Sequence, residues 1–186
     1  MSETSVKDLV ITVSGPHGSG RSSQARYLSQ EFGLRYISTG MLFREMAEKR
    51  GLSMEKMSKM AEENCDFDNY LDERAKEESR RGGVVIDATL AAWVATNPDL
   101  KIYLWATFDD RVQRIAEREG RLIEEVIRET RARESSEKDR FQQYYKIDID
   151  ELSVYDVVLN TSLFSLDATS QILKKIVLIY KKSTLC

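Results

Sequence analysis

The stretch Leu9–Ser23, LVITVSGPHGSGRSS, constrains this chain more than any other. Leu9, Val10, Ile11 and Val13 form a short apolar run, the pattern of a strand buried in a sheet. It leads straight into Gly15-Pro16-His17-Gly18-Ser19-Gly20-Arg21-Ser22. This matches the phosphate-loop pattern G-x-x-x-x-G-K-[ST] except that Arg21 stands in the lysine position. Ala25, Tyr27, Leu28 and Phe32 then recur at helical spacing and stop at Gly33. In this strand-to-helix context the glycines let the backbone turn and aim N–H groups inward, and the positive end of the helix dipole adds to the anion site. Ser22 is placed to ligate Mg²⁺ and Ser23 to hydrogen-bond a phosphate. Arg21 is longer, planar and forked where lysine is a compact point charge, so its approach to phosphate must differ.

The totals narrow the class. A chain of 186 residues suits a single domain with a substantial core. A net charge of −3 gives no support for binding nucleic acid or an anionic membrane. No apolar run approaches the length of a membrane span, and the polar start is unlike a signal peptide. Cys65 and Cys186 supply neither metal spacing nor a disulfide framework, which points to a reducing compartment and a cytoplasmic location. The single histidine, His17, excludes His-based triads and multi-His metal sites and reads as a loop-filling residue.

Further strands are expected at Leu34–Ser38, Val84–Asp87, Leu100–Trp105 and Tyr155–Asn160. Helices are expected after the loop, from Thr39 to Gly51, after Ser53, from Asp66 to Arg81, over Leu90–Val94, over Asp109–Arg118 capped by Thr107, and over Asp167–Tyr180. A long helical pattern, continuous or broken, covers Leu122–Tyr145, with Glu117–Arg121, Glu124–Arg128 and Glu129–Arg133 at i,i+4. The Met54, Met57, Met60 and Ala61 stripe reads as core. Met1–Lys7 and Ser183–Cys186 are expected to fray. Alternation of strands and helices predicts a five-stranded parallel sheet covered on both faces, with Leu9–Ser14 and Val84–Asp87 central. Ligands then bind beyond the carboxyl ends of the strands. The phosphate loop, Thr39-Gly40, Asp87 and Ala106-Thr107 converge on that rim, the layout of a nucleotide enzyme or switch.

YISTG followed by Phe43-Arg44 resembles the acceptor segment of nucleoside monophosphate kinases. LRYISTGMLFREMAEKRG, DNYLDER, LAAW, NPDLKIYLWA, RIAEREG, RARESSEKDR and YYKIDIDELSVYDVVLNTS, in that order, resemble archaeal-type cytidylate kinase over Leu9 to Tyr180. The resemblance implies a three-layer α/β/α kinase fold in one domain over residues 1–186, with an acceptor-binding segment at about 39–81 and a lid at about 118–146. It implies transfer of a phosphoryl group from ATP, with Mg²⁺, to CMP or dCMP, by a monomer needing neither nucleic acid nor membrane. Gly15, Pro16, His17, Gly18, Ser19, Gly20, Arg21, Ser22 and Ser23 would hold ATP. Thr39, Gly40, Arg44, Asp72 and Asp87 would hold CMP, with Arg44 on its phosphate, and Asp68 would lie in the part that closes over it. Arg21, Arg133 and Arg140 would stabilise the transferring group, since phosphoryl transfer needs positioning and charge neutralisation above all.

The chain departs from that family at Arg21, at Thr89 where an arginine is expected, at Ala75 and at Ala92. Two of these changes alter phosphate-directed cations. A kinase-derived nucleotide-binding protein with weak or no turnover therefore stands beside the enzyme. A kinase for a metabolite such as shikimate is a more remote third reading, opposed by the YISTG…R segment and the long lid. The evenly mixed charges of the lid also fit a solvated, salt-bridged helix.

Overall fold

The computed structural model describes residues 6–63 and 66–183. Cys65, Cys186 and most of the ends expected to fray lie outside them. A short 3₁₀ turn at Val6–Asp8 leads into β1 (Val10–Ser14). The other strands are β2 (Arg35–Ser38), β3 (Val84–Asp87), β4 (Leu100–Trp105) and β5 (Val157–Asn160). They form one five-stranded sheet in the order β2-β3-β1-β4-β5, and every pairing is parallel. β1 and β3 lie side by side in the interior, with Val10 opposite Val84 and Val13 opposite Asp87.

The two-residue period of a strand divides these side chains between two cores. Ile11, Val13 and Val85 point to one face, where they pack with Ala25, Leu28, Leu173 and Val177. These belong to α1 (Arg21–Phe32) and α8 (Leu166–Ser183). Val10, Val84 and Ile86 point to the other face and meet Ala75, Ala91, Val94 and Phe141. Those come from α4 (Asp66–Arg80), α5 (Ala91–Val94) and α7 (Ile123–Tyr145). The result is the expected α/β/α sandwich.

Two smaller clusters lie outside the sandwich. Phe43, Ala47, Met57, Ala61, Phe67 and Leu71 join α2 (Thr39–Lys49), α3 (Met54–Glu63) and α4. Met57 and Ala61 are fully buried, as a core stripe requires, but Met60 is 40% exposed. Val112, Ile115, Ala116 and Val126 join α6 (Phe108–Glu119) to α7.

Local signals fix the ends of the helices. Ser38 caps α2 by accepting from the Met41 amide at 3.4 Å, and Thr107 caps α6 by accepting from the Asp110 amide at 3.2 Å. Gly33 ends α1 in the left-handed conformation, φ 63°.

The long helix resolves one open point, and its ion pairs differ from expectation. α7 runs unbroken through Tyr145, because no proline or glycine interrupts it. Arg121 pairs with Glu119 and Glu129, at 3.3 and 2.7 Å, and Arg133 pairs with Glu137 at 3.2 Å. Arg133 thus keeps i,i+4 spacing but pairs forward with Glu137 instead of back with Glu129, while Arg121, in the turn before α7, takes Glu119 and Glu129 instead of Glu117.

Candidate active site

The loop between β1 and α1 is shaped by contacts that only glycine tolerates. Gly15 has φ +140°, and a Cβ there would lie 2.0 Å from the Leu104 carbonyl oxygen. At Gly18 a Cβ would come within 2.6 Å of the Arg111 carbonyl oxygen. The loop is gripped from behind through its carbonyl groups. Arg111 donates to His17 O at 2.8 Å and Thr161 donates to Ser19 O at 2.9 Å, while Arg114 donates to Thr161 O at 2.8 Å. A trans peptide points its N–H opposite its C=O, so the amides of Gly18 and Gly20 face the cleft that these residues line. Arg111 is itself buried and paired with Glu134 of α7.

That cleft has a volume of about 1110 Å³ and lies at the carboxyl rim of the sheet. It is strongly cationic, lined by Arg21, Arg26, Arg44, Arg114, Arg118, Arg121 and Arg133. Burial, then the neighbouring charge of Arg133, pulls the Arg44 guanidinium below its ordinary value, while Asp87 acts in the opposite sense. A second cavity of about 60 Å³ adjoins it, lined by Thr39, Asp68, Asp72, Thr89 and Arg140 among others. His17, Gly40, Arg21 and Arg133 line both.

Of the residues singled out in the sequence, the nine of the phosphate loop and Gly40 come together as expected, apart from Gly15, which is packed beneath the loop. Arg44 lines the larger cleft, and Thr39 and Asp72 line the smaller. Asp87 is fully buried and lines neither, because Arg21 lies against it: Arg21 Nε donates to Asp87 Oδ1 at 2.5 Å. Tyr36 donates to Asp87 Oδ2 at 2.8 Å. Burial would raise the Asp87 carboxyl, but the Arg21 charge and hydrogen bonds from Ser22, Tyr36 and Arg21 outweigh it and hold the group below the usual carboxylate range.

Arg140 Nε sits 2.6 Å from Asp68 Oδ2, with both side chains only 7% exposed. Burial, aided by the neighbouring charge of Asp68, pushes the Asp72 carboxyl up to about 6 despite a hydrogen bond from Tyr145 and the charge of Lys76.

Sequence reasoning missed Arg111, Arg114, Thr161, Glu134 and Glu137. Thr161 directly follows β5, the one cue that placed it on the functional rim. The other four sit in charge-rich helices where nothing marks one acid or base from the next.

Mg²⁺ fits this donor set. It binds hard oxygens, retains water and needs only one or two protein groups beside substrate phosphates. The Ser22 hydroxyl opens into the cleft next to the Asp87 carboxylate. Both Asp87 oxygens are engaged by Arg21 and Tyr36, which leaves the Ser22 hydroxyl as the oxygen of this pair open to a cation.

A phosphate loop at the end of an interior strand of a parallel sheet, opening on a cationic cleft that adjoins a second cavity, defines a P-loop kinase. The chain belongs to the cytidylate kinase-like family, whose family model matches residues 10–163. It is 44% identical over 170 residues to the cytidylate kinase of Staphylothermus marinus, covering 91% of this chain and 96% of that one. It is 43% identical to the cytidylate kinase of Methanopyrus kandleri over 89% of this chain and 91% of the other. Among solved structures it is similar in fold to an uncharacterised protein from Eubacterium ventriosum. There the TM-score is 0.68 at 14% identity, covering 91% of this chain and 98% of that chain. Shikimate kinase from Acinetobacter baumannii, in complex with shikimate, gives a TM-score of 0.57 at 15% identity, covering 95% and 97%. At such identities these two speak to the fold alone.

Proposed function

We propose that this enzyme transfers the γ-phosphoryl group of ATP to CMP or dCMP, giving ADP and CDP or dCDP. The observation that carries this is identity above 40% to cytidylate kinases over nearly the whole chain, on a site with two adjoining cavities. The named relatives favour turnover over a binding-only role.

The donor occupies the larger cleft, its phosphates on the amides of the loop and on Ser22 and Ser23. When bound, Mg²⁺ would be held by Ser22 and would neutralise phosphate charge. The acceptor occupies the smaller cavity with Thr39, Gly40 and Asp72. Arg44 takes its phosphate, and Asp87 acts through Arg21 and Tyr36. An acceptor phosphate oxygen attacks the γ-phosphorus in line. The bond to the β–γ bridging oxygen breaks, and its electron pair leaves with ADP. Arg133, which lines both cavities, and Arg140, once it exchanges Asp68 for phosphate, offset the charge that develops.

A cavity of about 60 Å³ is far below the several hundred Å³ of a nucleotide-sized site, so the segment at about 39–81 opens to admit the acceptor and the lid at about 118–146 closes over it. One chain carries both cavities, in keeping with a monomer acting in the cytoplasm. No helix among the described residues is long and apolar enough to cross a membrane.

Coupled ADP release across CMP, dCMP, UMP, AMP and shikimate tests this reading. Preference for CMP or dCMP is expected, and preference for shikimate or no transfer at all would reject it.

A further inference from the structure

Arg21 begins α1 and so belongs by backbone to the donor cradle, yet its guanidinium lies elsewhere. Nη1 donates both to Gly15 O at 2.8 Å and to Thr89 Oγ1 at 3.2 Å, while Nε is held by Asp87. Thr89 lies just past β3 and lines the acceptor cavity, not the donor cleft. Arg21 lines both. Its side chain is 11% exposed and bound at two of its three nitrogens, so the fork is fixed in place, and Nη2 makes no hydrogen bond to any described residue. A lysine could not copy this arrangement. Its single ammonium cannot satisfy Asp87, the Gly15 carbonyl and Thr89 and still present a further N–H.

We propose that Arg21 is the acceptor-side cation of this enzyme: its guanidinium, anchored between Asp87 and Thr89, binds the acceptor phosphate and holds it in line with the γ-phosphorus. This rests on the phosphotransferase function proposed above and assigns the loop cation to the other substrate. The short Thr89 side chain leaves the space that the Arg21 fork fills. Positions 21 and 89 therefore act as one unit that accommodates one guanidinium, and a second would meet like charge at close range.

Steady-state kinetics with ATP and CMP on the wild type, Arg21→Lys, Thr89→Arg and the double variant test this, with thermal melts as a folding control. Arg21→Lys should raise KM for CMP about tenfold or more through loss of a charge-assisted fork, with KM for ATP moving less than about twofold. Thr89→Arg alone should lower kcat/KM. On the Arg21→Lys background it should instead restore kcat/KM about tenfold, a sign reversal that independent sites do not show. A rise in KM for ATP equal to or larger than that for CMP overturns the proposal, as do additive effects of the two substitutions. If the double variant does not fold, the two KM values of Arg21→Lys decide alone. If the wild type transfers nothing to CMP, the proposed function fails, and calorimetric titration of wild type and Arg21→Lys with each nucleotide separates the two ideas. Selective loss of CMP binding then supports the assignment of Arg21. Equal loss, selective loss of ATP binding, or a wild type that does not bind CMP overturns it.

Discussion

His17 Nε2 lies 3.0 Å from Glu137 Oε1, so the middle of the phosphate loop is tied to the long helix α7. The same carboxylate takes Arg133 Nε at 3.2 Å, and one turn earlier Glu134 holds Arg111, which grips the His17 carbonyl. Two acids of α7 thus fix the loop, one through a side chain and one through the backbone. Burial acts to raise the Glu137 carboxyl, but His17, Arg133 and Arg140 hold it well below its ordinary range. Its contribution to stability is therefore present above the unfolded value and is lost as pH falls through the folded one.

Glu137→Gln removes the charge at constant size. It should destabilise the fold by about 1–3 kcal/mol at neutral pH, because His17 and Arg133 lose their charged partner. KM for ATP should rise several-fold as the loop loosens. Urea unfolding and donor kinetics check this; unchanged values of both would show that the pair is incidental.

Gly15→Ala and Gly20→Ala should differ sharply, although both glycines are fixed positions of the motif. A Cβ on Gly15 meets backbone of β4, which cannot move without opening the sheet, whereas a Cβ on Gly20 meets nothing within 4 Å. Gly20→Ala should cost only the strain of φ +87°, about 1–2 kcal/mol. Gly15→Ala should unfold the chain or shift its melting point several times further. Similar melting points would mean that the loop relaxes freely.

The sheet is legible in the sequence because each strand is a short apolar run and each crossover contains a helical period. β5 shows the limit. Asp156 fits a strand pattern but lies outside the strand, where its carboxylate accepts from the Lys101 amide at 2.7 Å. The phosphate loop is legible because its glycines serve backbone geometry that a motif records. The anchors behind it are not, since Arg111 and Thr161 are chosen by distances across 94 and 142 residues of chain. Arg21 shows both sides of this. Its departure from lysine is visible in one dimension, but its destination at Thr89 is visible only in three.

Arg44→Ala should raise KM for CMP about tenfold or more and leave KM for ATP nearly unchanged, because a charge-assisted hydrogen bond to phosphate is typically worth about 1.5–3 kcal/mol. Arg44 is close enough to Arg133 and Arg118 to feel their charge. Equal loss for both nucleotides would show instead that the three arginines act as one cluster on the donor.

The burial of Asp72 makes stability depend on pH. Its carboxyl rises from 3.8 to about 6 on folding. The folded state therefore holds a proton more tightly than the unfolded one. The stability this adds is complete below about 4 and is lost as pH rises through about 6. The loss corresponds to about 3 kcal/mol. Asp72→Asn, neutral at every pH, should melt higher than the wild type at pH 7.5, with the gap shrinking through pH 6 and closing near pH 4. It should also impair use of CMP. A gap that does not change with pH would remove burial as the cause.

The Arg140–Asp68 pair decides how an inactive Arg140 variant is to be understood. Arg140→Ala would strand Asp68 at 5% exposure without its cation, and breaking a buried pair from one side typically costs about 3–5 kcal/mol. Loss of activity would then reflect a damaged fold as much as a missing catalytic charge. Burial already pushes the Asp68 carboxyl up against the opposing pull of Arg140, so removing Arg140 should push it higher still. The informative variants are Arg140→Met with Asp68→Asn, which removes both charges at similar volume, and Asp68→Asn alone. The double variant should recover most of the melting temperature lost in Arg140→Ala. If Arg140 serves the transferring phosphoryl group, kcat in the double variant should stay at least about a hundredfold below wild type, the scale of one lost transition-state contact. Asp68→Asn alone releases Arg140 from its internal partner and should retain turnover. A double variant with near-normal kcat would confine Arg140 to holding α4 against α7.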